Sequence, residues 1–280
     1  MKLIIHGGFF SESLTNQEIK QAKQEVLKEI VTMGYKYLQK HTAAQTVVYT
    51  VSLLEDCDLF NAGTGSQIQS DGRIRMSAGL MDGKTHRFAG VINIENVKNP
   101  ILIAEKLIHF DDRVLGGDCA EAFARNYGFE YYNPETLQRR HEYEKKLSDS
   151  IRLGTVGCVA LDIYGDLAAA TSTGGKGFEI PGRVSDSATT AGNFANTCAG
   201  ISCTGIGEDI VSGAMASTIA IRVTDGMPLA IACQKTINEI KAHDGFAGLI
   251  AISEKGEVYH TDTHPYMLWA CHDGDVDVFE

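Results

Sequence analysis

The run Val156-Gly-Cys-Val-Ala-Leu-Asp-Ile163, the turn Tyr164-Gly165-Asp166 and the run Leu167–Thr173 constrain this chain more than any other stretch. Both runs are apolar almost throughout, where a strand with one wet face would alternate. The short turn makes them antiparallel partners, because parallel strands need a long crossover. A hairpin of this kind has to be covered on both faces. Gly248–Ser253 and Glu257–Thr261, around Glu254-Lys-Gly256, form a second hairpin. Lys2–His6, His86–Ile94 and Ala199–Thr204 read as further strands, and Gln67–Gln69 with Arg73–Met76 as two short ones around a turn. Apolar spacing predicts helices over Asn16–Gln39 (capped by Thr15), Thr42–Leu54, Ile101–His109, Asp118–Arg125, Asp209–Arg222 and Pro228–His243. Both halves therefore hold strands and helix pairs, with no internal repeat. The expected class is α+β: mostly antiparallel sheets sandwiched between helix layers, one domain over residues 1–280.

Just before the first hairpin stands Gly154-Thr155. Upstream, Glu130–Ser150 is polar, with Arg139-Arg140-His141-Glu142 and Glu144-Lys145-Lys146. It reads as a solvated helix ending in a loop, and it is the best linker in the chain. A threonine hydroxyl is a poor nucleophile without an adjacent base. Cleavage before Thr155 would free an α-amine on the same residue to serve as that base. Thr171-Ser172-Thr173 ends the partner strand, so Thr173 can reach Thr155. Thr204-Gly205 ends another strand in a turn, where a hydroxyl and a main-chain N–H can converge on one oxygen. Arg183 and Asp186 share a glycine-bounded loop and match the carboxylate and amine of a free amino acid. Each feature has a plainer reading: a strand start, a turn, or a surface ion pair.

In their order, these motifs resemble the plant-type asparaginase and isoaspartyl peptidase family of N-terminal-nucleophile (Ntn) hydrolases. The resemblance lies in Gly154–Asp162, Ala170–Gly175, Pro181–Ser187 and Ser202–Glu208, and extends to His6-Gly-Gly8, Leu59–Gly63 and Met81–Gly83. It implies a four-layer αββα sandwich. It implies a precursor cleaved between Gly154 and Thr155 into an α subunit, 1–154, and a β subunit, 155–280, two such units pairing as (αβ)2. Thr155 would be the nucleophile and its amine the base, with Thr173 assisting and Asn61 bordering them. Arg183 would hold the substrate α-carboxylate and Asp186 its α-amine. Thr204 and Gly205 would stabilise the oxyanion, and Gly205 and Gly207 would border the substrate. The loop Leu54–Thr64 resembles a sodium-binding loop, with the main-chain oxygens of Leu54, Glu55, Cys57, Phe60, Ala62 and Thr64 as ligands. No cofactor is implied for the chemistry. The implied substrate is a small molecule or dipeptide with free aspartyl α-groups, asparagine or an isoaspartyl dipeptide, attacked to give a β-aspartyl ester of Thr155. The chain departs from the family at Phe9-Phe10, Ser77, Lys176–Glu179 and Ser185. Two alternatives stand beside this one: a hydrolase of glycosylated asparagine, and an uncleaved binding or scaffold protein.

A net charge of −11 argues against nucleic acid or an anionic membrane as partner. The cysteines number seven, are scattered and hold no Cys-x-x-Cys pair, which disfavours a disulfide framework or structural zinc. Five of them sit among small or apolar neighbours and are expected in the core. The apolar start Leu3–Ile5 is too short for a signal peptide, and no stretch approaches the ~20 apolar residues of a membrane span, so a soluble cytoplasmic protein is expected. Gly174-Gly-Lys-Gly177 lacks the spacing of a phosphate loop. His260 and His264 precede Pro265, which predicts a loop rather than a zinc helix.

Overall fold

A computed structural model describes residues 1–10, 17–145 and 154–280. The first half runs β1 (Lys2–Phe9), α1 (Gln17–Leu38), α2 (Ala43–Glu55), β2 (Met76–Asp82), β3 (Arg87–Ile94), α3 (Pro100–Leu107), β4 (Val114–Gly116), α4 (Gly117–Asn126) and α5 (Leu137–Glu144). The second runs β5 (Val156–Leu161), β6 (Leu167–Thr173), a 3-10 turn at Asp186–Ala188, β7 (Asn193–Ala195), β8 (Ala199–Gly205), α6 (Gly207–Ser212), α7 (Met215–Thr224), α8 (Leu229–Lys241), β9 (Ala247–Ser253), β10 (Val258–Asp262), β11 (Met267–His272) and β12 (Val276–Val278).

The strands form an eight-stranded sheet, β12-β11-β1-β5-β6-β2-β3-β4, and a four-stranded sheet, β10-β9-β8-β7. Among the described residues only β3 and β4 pair in parallel, and the other pairings are antiparallel. The β5–β6 hairpin sits in the middle of the larger sheet, which is why its residues are buried throughout. Val156, Cys158 and Ala160 join Val47, Val51 and Leu54 of α2 in one apolar cluster. Val159 and Leu161, on the opposite pleat, meet Ile250 and Ile252 of β9 in a second. A third sets Ile201, Cys203 and Leu249 of the smaller sheet against Ile219 of α7 and Cys233 and Ile237 of α8. Helices on one sheet, sheet on sheet, and helices on the other sheet are therefore all cemented by apolar burial.

Several expectations change. The helix expected over 209–222 is two, α6 and α7, because Ala214 takes the left-handed φ of 44° that no α-helix can continue. Residues 67–75 form no strand; Gly72 N–H donates to Gln69 O at 2.9 Å and Gln69 N–H to Arg73 O at 2.9 Å, closing a turn ahead of β2. The first strand runs through Gly7-Gly8 to Phe9. The polar run before Thr155 does more than face solvent: in α5, Arg139 Nε donates to Gly65 O at 2.7 Å, and the Tyr143 ring stacks on Phe178 at 5.3 Å. Its last residues, 146–150, and the expected cap Thr15 lie outside the described residues. Three cysteines are buried, Cys158, Cys203 and Cys233, rather than five; Cys119 is exposed and the others are intermediate. His260 lies on β10, the second strand of the expected hairpin, with its ring stacked on Trp269 at 3.9 Å, and His264 lies in the bend that follows. Among the described residues, no helix is long and apolar enough to cross a membrane.

Candidate active site

The hairpin register sets the first contact. Val156 faces Ser172, so Thr155 and Thr173 meet at the hairpin's open end. Thr155 Oγ1 donates to Thr173 Oγ1 at 3.1 Å, and Thr173 Oγ1 also accepts from Gly175 N–H at 3.2 Å. Both threonines are buried. The Thr155 carbonyl lies 3.1 Å from His6 Nδ1. A carbonyl can only accept, so Nδ1 carries the proton. Complete burial pushes His6 down to about 3 and keeps the ring neutral. Its Nε2 must then accept from Ser202 Oγ at 2.9 Å, which leaves Ser202 Oγ to accept from Thr171 Oγ1 at 2.6 Å. This chain ties β1 and β6 to β8 behind the nucleophile candidate. Gly157 makes room for it: a Cβ there would stand 2.0 Å from Ser202 Oγ and 2.3 Å from His6 Nε2.

Asn61 holds the other side. Its N–H donates to Gly154 O at 3.1 Å, and its carbonyl accepts from Gly174 N–H at 2.9 Å. Its side chain donates to Gly175 O at 2.5 Å and accepts from Gln67 N–H at 2.9 Å. One residue thus links the Gly154-Thr155 bond to the turn after Thr173.

Arg183, Asp186, Gly205 and Gly207 line one cleft with Thr155 and Thr173. Asp186 Oδ1 accepts from Ser185 Oγ at 3.0 Å, so the serine adds a donor to the carboxyl beside it. Asp186 Oδ2 is buried without a hydrogen-bond partner among the described residues. Burial pushes Asp186 up to about 6, against the pull of the Ser185 hydroxyl and the Arg183 charge. Arg183 does not bond Asp186; its Nε and Nη2 each donate at 2.8 Å to the two oxygens of Glu208. That fork holds Glu208 down at about 2. Gly207 is small for a reason: a Cβ there would lie 2.6 Å from Arg183 Nη2 and 2.8 Å from Asp186 Oδ1. Gly205 takes φ of 140°, and the buried Thr204 hydroxyl has no partner among the described residues. Thr204 lies behind the cleft rather than in its lining.

The loop from Leu54 to Thr64 is less uniform than the motif implies. The carbonyls of Leu54, Glu55 and Cys57 accept from Cys57, Thr64 and Phe60 N–H at 3.3, 2.8 and 3.3 Å. Those of Phe60, Ala62 and Thr64 accept no hydrogen bond among the described residues. These oxygens suit a hard cation in kind. The clamp Glu208 and the chain His6–Ser202–Thr171 went unread in the sequence. Each of these residues falls in a motif of the sequence, His6-Gly-Gly8, Ala170–Gly175 or Ser202–Glu208, but no local spacing signals their pairing.

Two hydroxyls paired at a hairpin end stand against an arginine and an unpartnered buried carboxyl oxygen in one cleft. The family model described as Asparaginase matches residues 1–150 and 138–279. An isoaspartyl peptidase/L-asparaginase of Nostoc sp. is 44% identical, covering 98% of this chain and 92% of its own length. One from Synechocystis sp. is 42% identical over 98% of this chain and 88% of its own, and an isoaspartyl peptidase of Escherichia coli is 36% identical over 91% and 88%. The chain belongs to the asparaginase family, whose fold is that of the Ntn hydrolases.

Proposed function

We propose that the chain cuts itself between Gly154 and Thr155 and then hydrolyses the β-aspartyl amide of isoaspartyl dipeptides or of L-asparagine. The observation that carries this reading is the 3.1 Å contact between Thr155 Oγ1 and Thr173 Oγ1, beside a Gly154 carbonyl already held by Asn61 N–H. The names of the Nostoc and E. coli relatives support the substrate class. The three apolar clusters support a four-layer αββα sandwich as the frame.

In the first step Thr155 Oγ1 attacks the Gly154 carbonyl carbon, and Asn61 N–H takes up the charge on the carbonyl oxygen. The C–N bond breaks as the Oγ1 proton passes to the Thr155 nitrogen, leaving Gly154 esterified to Oγ1 and the Thr155 amine free. Water hydrolyses the ester, freeing the Gly154 carboxylate and the Thr155 hydroxyl. In the second reaction the Thr155 amine takes the Oγ1 proton as Oγ1 attacks the substrate β-carbonyl; Gly205, in the cleft's lining, faces the oxyanion, and the unpartnered Thr204 hydroxyl would turn toward it. The proton passes to the leaving amine. Water then releases aspartate from the β-aspartyl ester. Arg183 holds the α-carboxylate, and the orphaned Asp186 Oδ2 accepts from the α-ammonium. The carbonyls of the Leu54–Thr64 loop would hold a sodium ion that stiffens Asn61's surroundings and takes no part in bond changes. Two processed units would assemble as (αβ)2.

Purified protein should run as two fragments, with masses matching cleavage before Thr155. A Thr155→Ala variant should stay whole and release no aspartate. Wild-type protein that stays one band after prolonged incubation, and is inactive, would sink the reading.

A further inference from the structure

Lys176 lines the cleft with Thr155 and Arg183, and nothing in the chemistry above uses it. Its Nζ lies 3.3 Å from Glu208 Oε1, the carboxylate that Arg183 already grips through two bonds of 2.8 Å. Two cations thus share one anion, and the trio carries one surplus positive charge. A substrate's α-carboxylate on Arg183 takes up that surplus and its α-ammonium is matched by Asp186, so a further anion is met by Lys176 exchanging Glu208, which Arg183 still holds through two bonds.

The loop carrying Lys176 is built to hold it at the cleft. Lys176 N–H donates to Glu179 Oε1 at 3.3 Å, and Glu179 is only 5% exposed. Gly175, at φ of 82°, passes so close that a Cβ would stand 1.9 Å from that same oxygen. Phe178 anchors the far end on Tyr143. The segment Lys176–Glu179 is therefore closed on its own buried carboxyl. The Lys176–Glu208 pair is itself half-exposed, at 39% and 50%, so the ammonium exchanges partners cheaply.

We propose that Lys176 is a specificity-determining residue that favours substrates whose leaving group is an amino acid with a free α-carboxylate. This rests on the function proposed above and names its substrate class: isoaspartyl dipeptides ahead of asparagine. In such a dipeptide the second carboxylate sits one carbon beyond the scissile nitrogen, and with Arg183 on the first carboxylate Lys176 is the remaining cation of the cleft's lining. Asparagine's leaving group, ammonia, offers Lys176 nothing.

The test is kcat/KM on three substrates, β-aspartyl-leucine, its C-terminal amide, and L-asparagine, for wild type, Lys176→Met and Lys176→Arg, each confirmed as processed by mass. Wild type should prefer the free-acid dipeptide over its amide by roughly three- to tenfold, as suits a half-exposed ion pair. Lys176→Met should lose that preference through KM with kcat kept, and change less than about twofold on the other two substrates. Lys176→Arg should keep it. Equal losses on all three substrates, or a wild type indifferent to the amide, would overturn the role of Lys176 and leave the proposed function standing. Wild-type protein that is cleaved but inactive on all three would instead overturn the proposed function, and this inference with it.

Discussion

Asp186 must be ionised to bind an ammonium group, yet burial raises it to about 6. On the proposed function, kcat/KM for asparagine rises with pH and levels above about 6, because the protonated acid below that point cannot hold the substrate amine. Asp186→Asn should abolish this limb and raise KM by at least about tenfold, in line with the loss of a buried charged contact. Gly207→Ala should also raise KM while leaving self-cleavage intact, since the added methyl pushes on Arg183 and Asp186 and not on Thr155. Thr173→Val removes the hydroxyl that Thr155 bonds, and should slow both cleavage and turnover by on the order of 10²-fold in timed mass and aspartate-release assays. At this scale the sequence was informative where a motif was short. Thr155 and Thr173 follow from a hairpin register, and Arg183 and Asp186 from one loop. Glu208 did not follow, because its partner Arg183 lies 25 residues away with a strand pair between them.

The β5–β6 hairpin was legible as an element because its turn is short and its residues apolar on both faces. The break between α6 and α7 was not. Ala214 has no composition that marks it, and its left-handed backbone answers to packing: Ala216 N–H donates to Ala191 O at 2.8 Å just beyond it. Ala214→Gly should therefore stabilise the protein by roughly 0.5–1 kcal/mol in denaturant unfolding, the left-handed penalty outweighing glycine's extra unfolded-state freedom. Strands β11 and β12 escaped the reading for a different reason. Met267–His272 mixes apolar, aromatic and histidine side chains without alternation, and its partner is β1, at the other end of the sequence. The loop that carries Lys176 owes its shape to Glu179, Gly175 and Phe178 together, a closure no periodicity reports.

Two buried groups give the whole molecule opposing responses to pH. Glu55 is pushed up to about 8 by burial, against hydrogen bonds from Ser172 at 2.6 Å and Ile101 N–H at 3.1 Å. Its folded value exceeds the unfolded one, so its contribution is complete below about 4.5 and is lost as pH rises toward 8. His6 is depressed to about 3, so its contribution is complete above 6.5 and is lost as pH falls toward 3. Each acts at a limiting slope of about 1.4 kcal/mol per pH unit. The two slopes oppose each other between 4.5 and 6.5, and between 6.5 and 8 Glu55 acts alone. Glu55→Gln keeps the acceptor oxygen and removes the ionisation. In thermal unfolding of the processed proteins, wild type should lose stability between pH 6.5 and 8 and Glu55→Gln should not.

The sequence by itself determined the hairpin that must be buried, most of the helices, and the order in which hydroxyls, arginine and aspartate follow one another. Those are local properties, set by side-chain period, turn chemistry and short spacing. The tertiary structure alone decided how the pieces meet. It placed His6 against residues 149 and 196 positions away, closed Glu208 on Arg183 and Lys176, and docked α5 on the Gly65 loop. Apolar patterning says that a strand is covered; it does not say by what. Buried polar groups have to find partners wherever the packed chain supplies them, and that choice is made when the sheets and helices come together.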